Sequence, residues 1–238
     1  MDARTLDELW TAVTGTQPAP PGWLPLATGA AALLTVLAGP LWRIARGAIT
    51  IAHEGGHGLA ALATRRRLAG IRLHSDTSGL TLSYGRSTGP GWLLTLAAGY
   101  TTPALLGLGC AALLAAGRVT LLLWLAIALL LALLVRIRNA YGFLSVLLTG
   151  GAFFLVSWFG SPDVQAGFAY LGTWFLLLGS VRPVLELQRQ RHHGQGHGSD
   201  ADQLARLTGV PGLAWTVLFL ITALAALALG ASWLLHPL

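Results

Sequence analysis

The sequence predicts an all-α membrane protein of about seven transmembrane helices, with a small membrane-associated β-hairpin after the second helix. Hydrophobic residues make up 54% of the chain and charged residues only 10%, whereas a soluble domain carries about 25% charged residues. The apolar residues also fall into runs of the roughly 20 residues that a helix needs to cross a bilayer. This composition can hardly cover a soluble surface, so we expect the chain to be embedded in a membrane.

The expected elements follow one another with short connections. Residues 1–22 form a short polar tail, and residues 23–238 form a single membrane domain. Around the Ser78-Gly79 turn, residues 70–84 alternate apolar and polar side chains, which is typical of a β-hairpin. The longest polar stretch, residues 182–208, is predicted to be a cytoplasmic loop. The seven spans are predicted at residues 24–42, 47–64, 90–117, 119–135, 140–159, 164–181 and 212–235.

The basic residues predict the orientation. All fifteen are arginine, and they lie in short connections between apolar runs, which fits anionic lipid head groups better than nucleic acid. Seven spans put the two ends of the chain on opposite sides. A cytoplasmic N-terminus leaves only Arg43, Arg46 and Arg118 outside. Because cytoplasmic loops carry the excess of basic residues, we expect a multi-pass cell-membrane protein with a cytoplasmic N-terminus.

Residues 53–57 read His-Glu-Gly-Gly-His. On a helix, positions i and i+4 share a face, so the imidazoles of His53 and His57 can reach one metal ion. Glu54 can hold a water against that metal, and zinc lowers the pKa of such a water toward neutrality. Ionisable groups in a membrane segment are costly and usually functional. The pattern therefore predicts one catalytic zinc ion, with Glu54 as the base.

A catalytic zinc usually has three protein ligands and one open position. Among the acids on the predicted cytoplasmic side, Asp76 is explained by its place near a turn. Asp200 is the first candidate for the third ligand, although it could equally begin a helix. Asp202 is the next candidate. Asn139 is a further alternative, because its carboxamide oxygen near a span end could bind the metal or a substrate backbone.

These residues resemble the site-2 protease family of intramembrane zinc metalloproteases, and more narrowly its compact bacterial and plant M-fifty-B-like branch. The resemblance implies that His53 and His57 bind zinc and that Glu54 is the catalytic base. It also implies that the hairpin presents substrate as an added strand. Candidate substrate-binding residues are then Gly79, Leu80, Thr81 and Asn139. The matching stretches are AHEGGHGLAAL at 52–62, GIRLHSDTSGLTLS at 70–83, AAGYTTPALLG at 97–107, RNAYG at 138–142 and SDADQLARLTGVP at 199–211.

The chain departs from the better-known members of that family, which take an aspartate ligand from a Leu-Asp-Gly motif. That motif is absent, and Asn139 stands where an acid is expected. The narrower branch carries Ser-Asp-Ala, matched by residues 199–201, which favours Asp200 while Asp202 and Asn139 stay open. The predicted function is hydrolysis of transmembrane protein substrates near the cytoplasmic face. The alternative, motivated by the missing motif, is an inactive scaffold or regulator that keeps the fold.

Overall fold

The computed structural model describes residues 10–11, 13–195 and 198–236. This part of the chain is mostly helical with one short antiparallel hairpin, as expected from the sequence. Much of the predicted tail lies outside the described residues. The division of the chain into a tail at 1–22 and one membrane domain at 23–238 therefore stays a prediction. The helices after residue 23 are Leu24–Leu37 (α1), Gly39–Ala63 (α2), Pro90–Ala115 (α3), Val119–Leu134 (α4), Ala140–Phe159 (α5), Pro162–Gly179 (α6), Val181–His192 (α7), Asp200–Thr208 (α8) and Gly212–Leu235 (α9); the strands are Arg67–Leu73 (β1) and Gly79–Tyr84 (β2).

Within the described residues, four helical elements are long and apolar enough to cross a bilayer. They are α3, α5, α9 and the element Pro162–His192, which α6 and α7 form together. The pair α1 and α2 would supply a fifth span, but it is bent by 102°. Helix α4 is apolar but has only 16 residues. The membrane character of the chain is confirmed, whereas the expected number of seven spans is not.

The break between α1 and α2 lies earlier than the sequence suggested. The first span was expected to run to residue 42, but α2 already begins at Gly39 and also contains Arg43 and Arg46. The chain leaves the helical region at Ala38, whose backbone is extended. Pro40 lies in the first turn of α2, where its fixed φ is tolerated and its missing N–H is not needed. A helix therefore restarts at this proline instead of running through it.

Helices α1 and α6 run in the same direction. Leu24, at the start of α1, lies beside Gly167 near the start of α6. At the other end, the main-chain oxygen of Val36 accepts a hydrogen bond from Arg182, just after α6. The beginnings of these two helices therefore lie at the same face of the molecule.

The polar tail packs against the turn between α3 and α4. The main-chain N–H of Gln17 donates to the oxygen of Gly117 over 2.8 Å, and Arg118 donates to the oxygen of Thr14 over 3.1 Å. The prediction that the tail and Arg118 lie on opposite sides of the membrane is therefore wrong. The physical reason is that α1 and α2 form a bent pair instead of two separate spans.

The hairpin begins slightly before the predicted range, and its first strand is covered on its outer edge. Ile71 of β1 exchanges main-chain hydrogen bonds with Arg136 and Arg138. The side chain of Asn139 continues this pairing: its Oδ1 accepts from Leu73 N over 3.2 Å, and its Nδ2 donates to Leu73 O over 2.7 Å. In the described chain β2 pairs only with β1, so the open edge of the sheet belongs to β2.

The polar stretch 182–208, predicted to be a loop, contains α7 and α8 instead. Each of these helices carries buried apolar residues three positions apart, the spacing of a helix face that packs on a core. Ser199 caps α8, with its hydroxyl accepting from Asp202 N over 3.4 Å. The residues that form this core are Leu96, Val184, Leu187, Ala201, Leu204 and Phe219.

Candidate metal centre

Two elements far apart in sequence bring three ligand atoms together. Helix α2 carries His53 and His57 one turn apart, and their Nε2 atoms lie 3.1 Å from each other. Asp200 is the first residue of α8, and its Oδ2 lies 3.3 Å from each of the two Nε2 atoms. Within the described residues, this is the group of histidine, cysteine and acidic side chains that is compact enough to hold a metal ion.

The triangle of ligand atoms fits a zinc ion. In a tetrahedral zinc site with bonds of roughly 2.0–2.2 Å, neighbouring ligand atoms lie about 3.3–3.6 Å apart. The two distances of 3.3 Å to Asp200 lie at the lower end of this range, and the distance of 3.1 Å between the imidazoles lies just below it. Two imidazoles and one carboxylate are also a donor set found in catalytic zinc sites, which leave a fourth position open.

The second histidine is oriented by a main-chain carbonyl. His57 Nδ1 lies 2.6 Å from Thr95 O, and since a carbonyl oxygen only accepts, this ring nitrogen carries the proton. Nε2 is then left with its lone pair for a metal, an arrangement that metal-binding histidines commonly show. Burial acts against the charged form of Asp200, yet His57 and His53, when their Nε2 atoms carry protons, hold the pKa of its carboxyl below the usual range. A metal ion would take the place of those protons.

Gly99 lets the backbone of α3 approach the two imidazoles. A Cβ atom at this position would overlap the His57 ring and lie 2.7 Å from His53 Cε1. The next residue, Tyr100, meets the His53 ring edge-on with centroids 4.7 Å apart, and it stacks on Phe219 at 5.2 Å. A glycine is therefore required where α3 passes the metal centre.

Strand β2 lies directly on Glu54. Glu54 is only 5% exposed, and its Oε2 accepts a hydrogen bond of 2.6 Å from the Thr81 hydroxyl. A Cβ atom at Gly79 would come within 2.6 Å of Glu54 Oε1. Two of the predicted substrate-binding residues thus face Glu54, while the side chain of Leu80 is exposed.

The two alternative third ligands have other partners. Asp202 Oδ1 accepts a hydrogen bond from Arg191. Both polar atoms of the Asn139 side chain bond to the main chain of Leu73. Of the three candidates, Asp200 is the one that the fold places against the histidine pair.

Sequence reasoning did not assign a role to Thr95, Gly99, Tyr100 or Arg191. Thr95 acts through its main-chain oxygen, for which residue type carries no signal. In the stretch AAGYTTPALLG, a glycine inside a helix and next to an aromatic residue could have indicated that the backbone comes close to another group. Arg191 could not be distinguished from the other arginines of the polar stretch.

Comparison with known families identifies one match. The model of the Peptidase M50B-like family matches residues 26–230, a range that runs from α1 into α9 and includes every residue of the candidate centre. Neither the curated proteins nor the solved structures contain a match to this chain.

Proposed function

Because the chain belongs to the Peptidase M50B-like family, we propose that it is a zinc-dependent intramembrane peptidase. Its substrates are membrane proteins, cut near the cytoplasmic face of the bilayer. The observation that carries this proposal is the triangle formed by His53, His57 and Asp200, whose spacing suits tetrahedral zinc. Glu54 lies next in sequence to the first of these residues.

The residues divide the chemistry between them. His53, His57 and Asp200 would hold zinc, which when bound polarises a scissile carbonyl and lowers the pKa of water. The Glu54 carboxylate takes a proton from the attacking water and returns it to the leaving amine nitrogen. Since Thr81 donates to one carboxylate oxygen of Glu54, the hairpin orients the base and shields it from solvent.

The hairpin also supplies an edge for an extended substrate. A peptide bond inside a helix has its carbonyl group occupied, so substrate must be partly unwound before hydrolysis. Residues 136–138 cover the outer edge of β1, which leaves the edge of β2 for an added strand. Gly79, Leu80 and Thr81 lie on β2, so their main chain would pair with substrate beside Glu54. Asn139 would contribute indirectly by fixing β1.

The arginines favour a cytoplasmic location for the metal-centre face. Thirteen of them lie in α2, around the hairpin, at the α4–α5 turn and in α7 and α8. All these segments lie at one face of the molecule, where the ends of α3, α6 and α9 that are remote from the tail also lie. Arg118 lies with the tail. By the positive-inside rule, the arginine-rich face is cytoplasmic and the tail is on the opposite side, in place of the cytoplasmic N-terminus expected from sequence. The thirteen are Arg43, Arg46, Arg65, Arg66, Arg67, Arg72, Arg86, Arg136, Arg138, Arg182, Arg189, Arg191 and Arg206.

Thiol labelling in intact cells tests this orientation. In a chain with Cys110→Ala, a single cysteine is placed at Thr16 or at Arg206, both of which are exposed. A membrane-impermeant maleimide is expected to label Thr16→Cys in intact cells and Arg206→Cys only after permeabilisation. The Cys110→Ala chain alone serves as the control. The reverse pattern would show that the metal-centre face is not cytoplasmic.

Reconstituted protein tests the activity. In liposomes, the purified chain is expected to cleave a single-span membrane peptide, to lose this activity when zinc is chelated and to regain it when zinc is restored. Cleavage products are identified by mass spectrometry. A protein that binds one zinc ion but cleaves no member of a panel of single-span peptides would favour the inactive scaffold instead.

A further inference from the structure

The first turn of α8 holds two carboxylates that point to different partners. Asp200 and Asp202 are two residues apart, which on an α-helix separates them by about 200° around the axis. One faces the histidine pair. The other accepts a hydrogen bond from Arg191, which lies in the last turn of α7. A rotation of α8 about its own axis would therefore break both contacts together.

Helix α8 cannot define its own position. It has nine residues, fewer than an isolated helix needs to be stable in water. Its buried residues Ala201 and Leu204 pack on α3, α7 and α9. Apolar packing of this kind is non-directional and by itself leaves small rotations or shifts of a short helix weakly opposed. A directional contact is needed to set the carboxylate of Asp200 to within a fraction of an ångström.

The Arg191–Asp202 pair meets this need because its arginine is itself held in place. The guanidinium lies against Gly212 at the start of α9, where a Cβ atom would come within 2.7 Å of Cζ. Both side chains are only about one-fifth exposed, so solvent and salt screen the pair less than a surface ion pair. α7, α8 and α9 therefore meet at one charged contact beside the metal centre.

We propose that the Arg191–Asp202 ion pair is a positioning device for the third ligand, so that metal affinity depends on a pair that does not touch the metal. The inference rests on the proposed function, since it takes Asp200 to be a zinc ligand. It also predicts that zinc affinity changes in the direction opposite to the one that the loss of charge alone would cause. Removing a positive charge near a cation site should strengthen zinc binding, whereas loss of positioning should weaken it.

Zinc affinity of the full-length chain in detergent, measured by competition with a chromophoric chelator, tests the proposal. We expect Arg191→Met to weaken binding by about 10–100-fold, the effect typical of removing groups that orient ligands. Arg189→Met is the matched control: the same charge is removed from an exposed residue of the same helix, and we expect unchanged or slightly tighter binding. The double variant Arg191→Asp with Asp202→Arg is expected to recover most of the lost affinity.

The outcomes separate this inference from the proposed function. A wild-type chain that binds no zinc would defeat the proposed function. Wild-type zinc affinity in Arg191→Met, with the wild-type chain binding zinc normally, would overturn the positioning role alone. If Arg191→Met does not fold, as judged by its circular dichroism, the milder Arg191→Gln decides, because it also removes the positive charge but keeps a polar side chain: weakened binding supports the proposal, and undiminished binding rejects it.

Discussion

Replacement of Glu54 by Gln is expected to remove nearly all peptide-bond cleavage while the protein still binds one zinc ion. Glutamine keeps the shape of the side chain and an oxygen that can accept from Thr81, but its amide cannot take a proton from water. General-base catalysis typically contributes about 10²–10⁴-fold to a rate, so we expect the cleavage rate to fall by that factor. Cleavage of a single-span peptide in liposomes and the zinc content of the same preparation are the two measurements.

The control for Glu54→Gln is the same chemical change at a distant position. Asp163→Asn replaces an exposed carboxylate in the first turn of α6, at the face that carries the tail, and should leave both measurements unchanged. Full activity in Glu54→Gln would refute its role as the base. Loss of zinc together with activity would instead assign Glu54 to holding the metal or the fold.

Replacement of Gly99 by Ala is expected to disrupt metal binding through a single methyl group. The added carbon would overlap the His57 ring and crowd His53. The His57 ring has little freedom to move away, because its Nδ1 is bonded to Thr95 O. Overpacking of this kind costs about 1–3 kcal/mol, and each 1.4 kcal/mol is a factor of ten in binding. We therefore expect zinc affinity to fall by about 5–140-fold and cleavage to fall with it.

Helix α3 offers a matched control for this variant. Gly109 lies in the same helix, and a Cβ atom there would meet nothing within 4 Å. Gly109→Ala makes the same chemical change and should leave zinc affinity and cleavage unaltered. Both changes favour the helix, since alanine is a better helix former than glycine. Normal zinc binding in Gly99→Ala would mean that the close approach of α3 does not define the metal centre.

The agreement between sequence and structure is best where a feature depends on neighbours in the chain. The i and i+4 spacing brings His53 and His57 together wherever this segment is helical, because the helix repeat alone places them on one face. The hairpin follows in the same way from alternating apolar and polar side chains, although its turn lies at residues 74–78 and Gly79, predicted to be in the turn, is the first residue of β2. The resemblance drawn from the motifs is confirmed by the family match over residues 26–230.

The errors arise where local patterns had to be extended to long-range geometry. Hydropathy marks apolar segments but does not say whether two of them form one bent pair. For this reason the number of seven spans was not confirmed, and the predicted position of the tail relative to Arg118 was wrong. The polar stretch 182–208 contains glycines and charges that suggest a loop. Its helices form because Val184, Leu187, Ala201 and Leu204 have a core to pack against, which a sequence alone does not reveal.

By itself the sequence determined the membrane character, the histidine pair of α2 and the hairpin, since each is set by covalent geometry and short-range periodicity. Only the tertiary structure decided that Asp200, 143 positions beyond His57 (200 − 57), meets the pair, that Asp202 is held by Arg191 and that β2 covers Glu54. The physical reason is that contacts between distant segments depend on how helices pack and bend, and packing sums many weak interactions that no local pattern encodes.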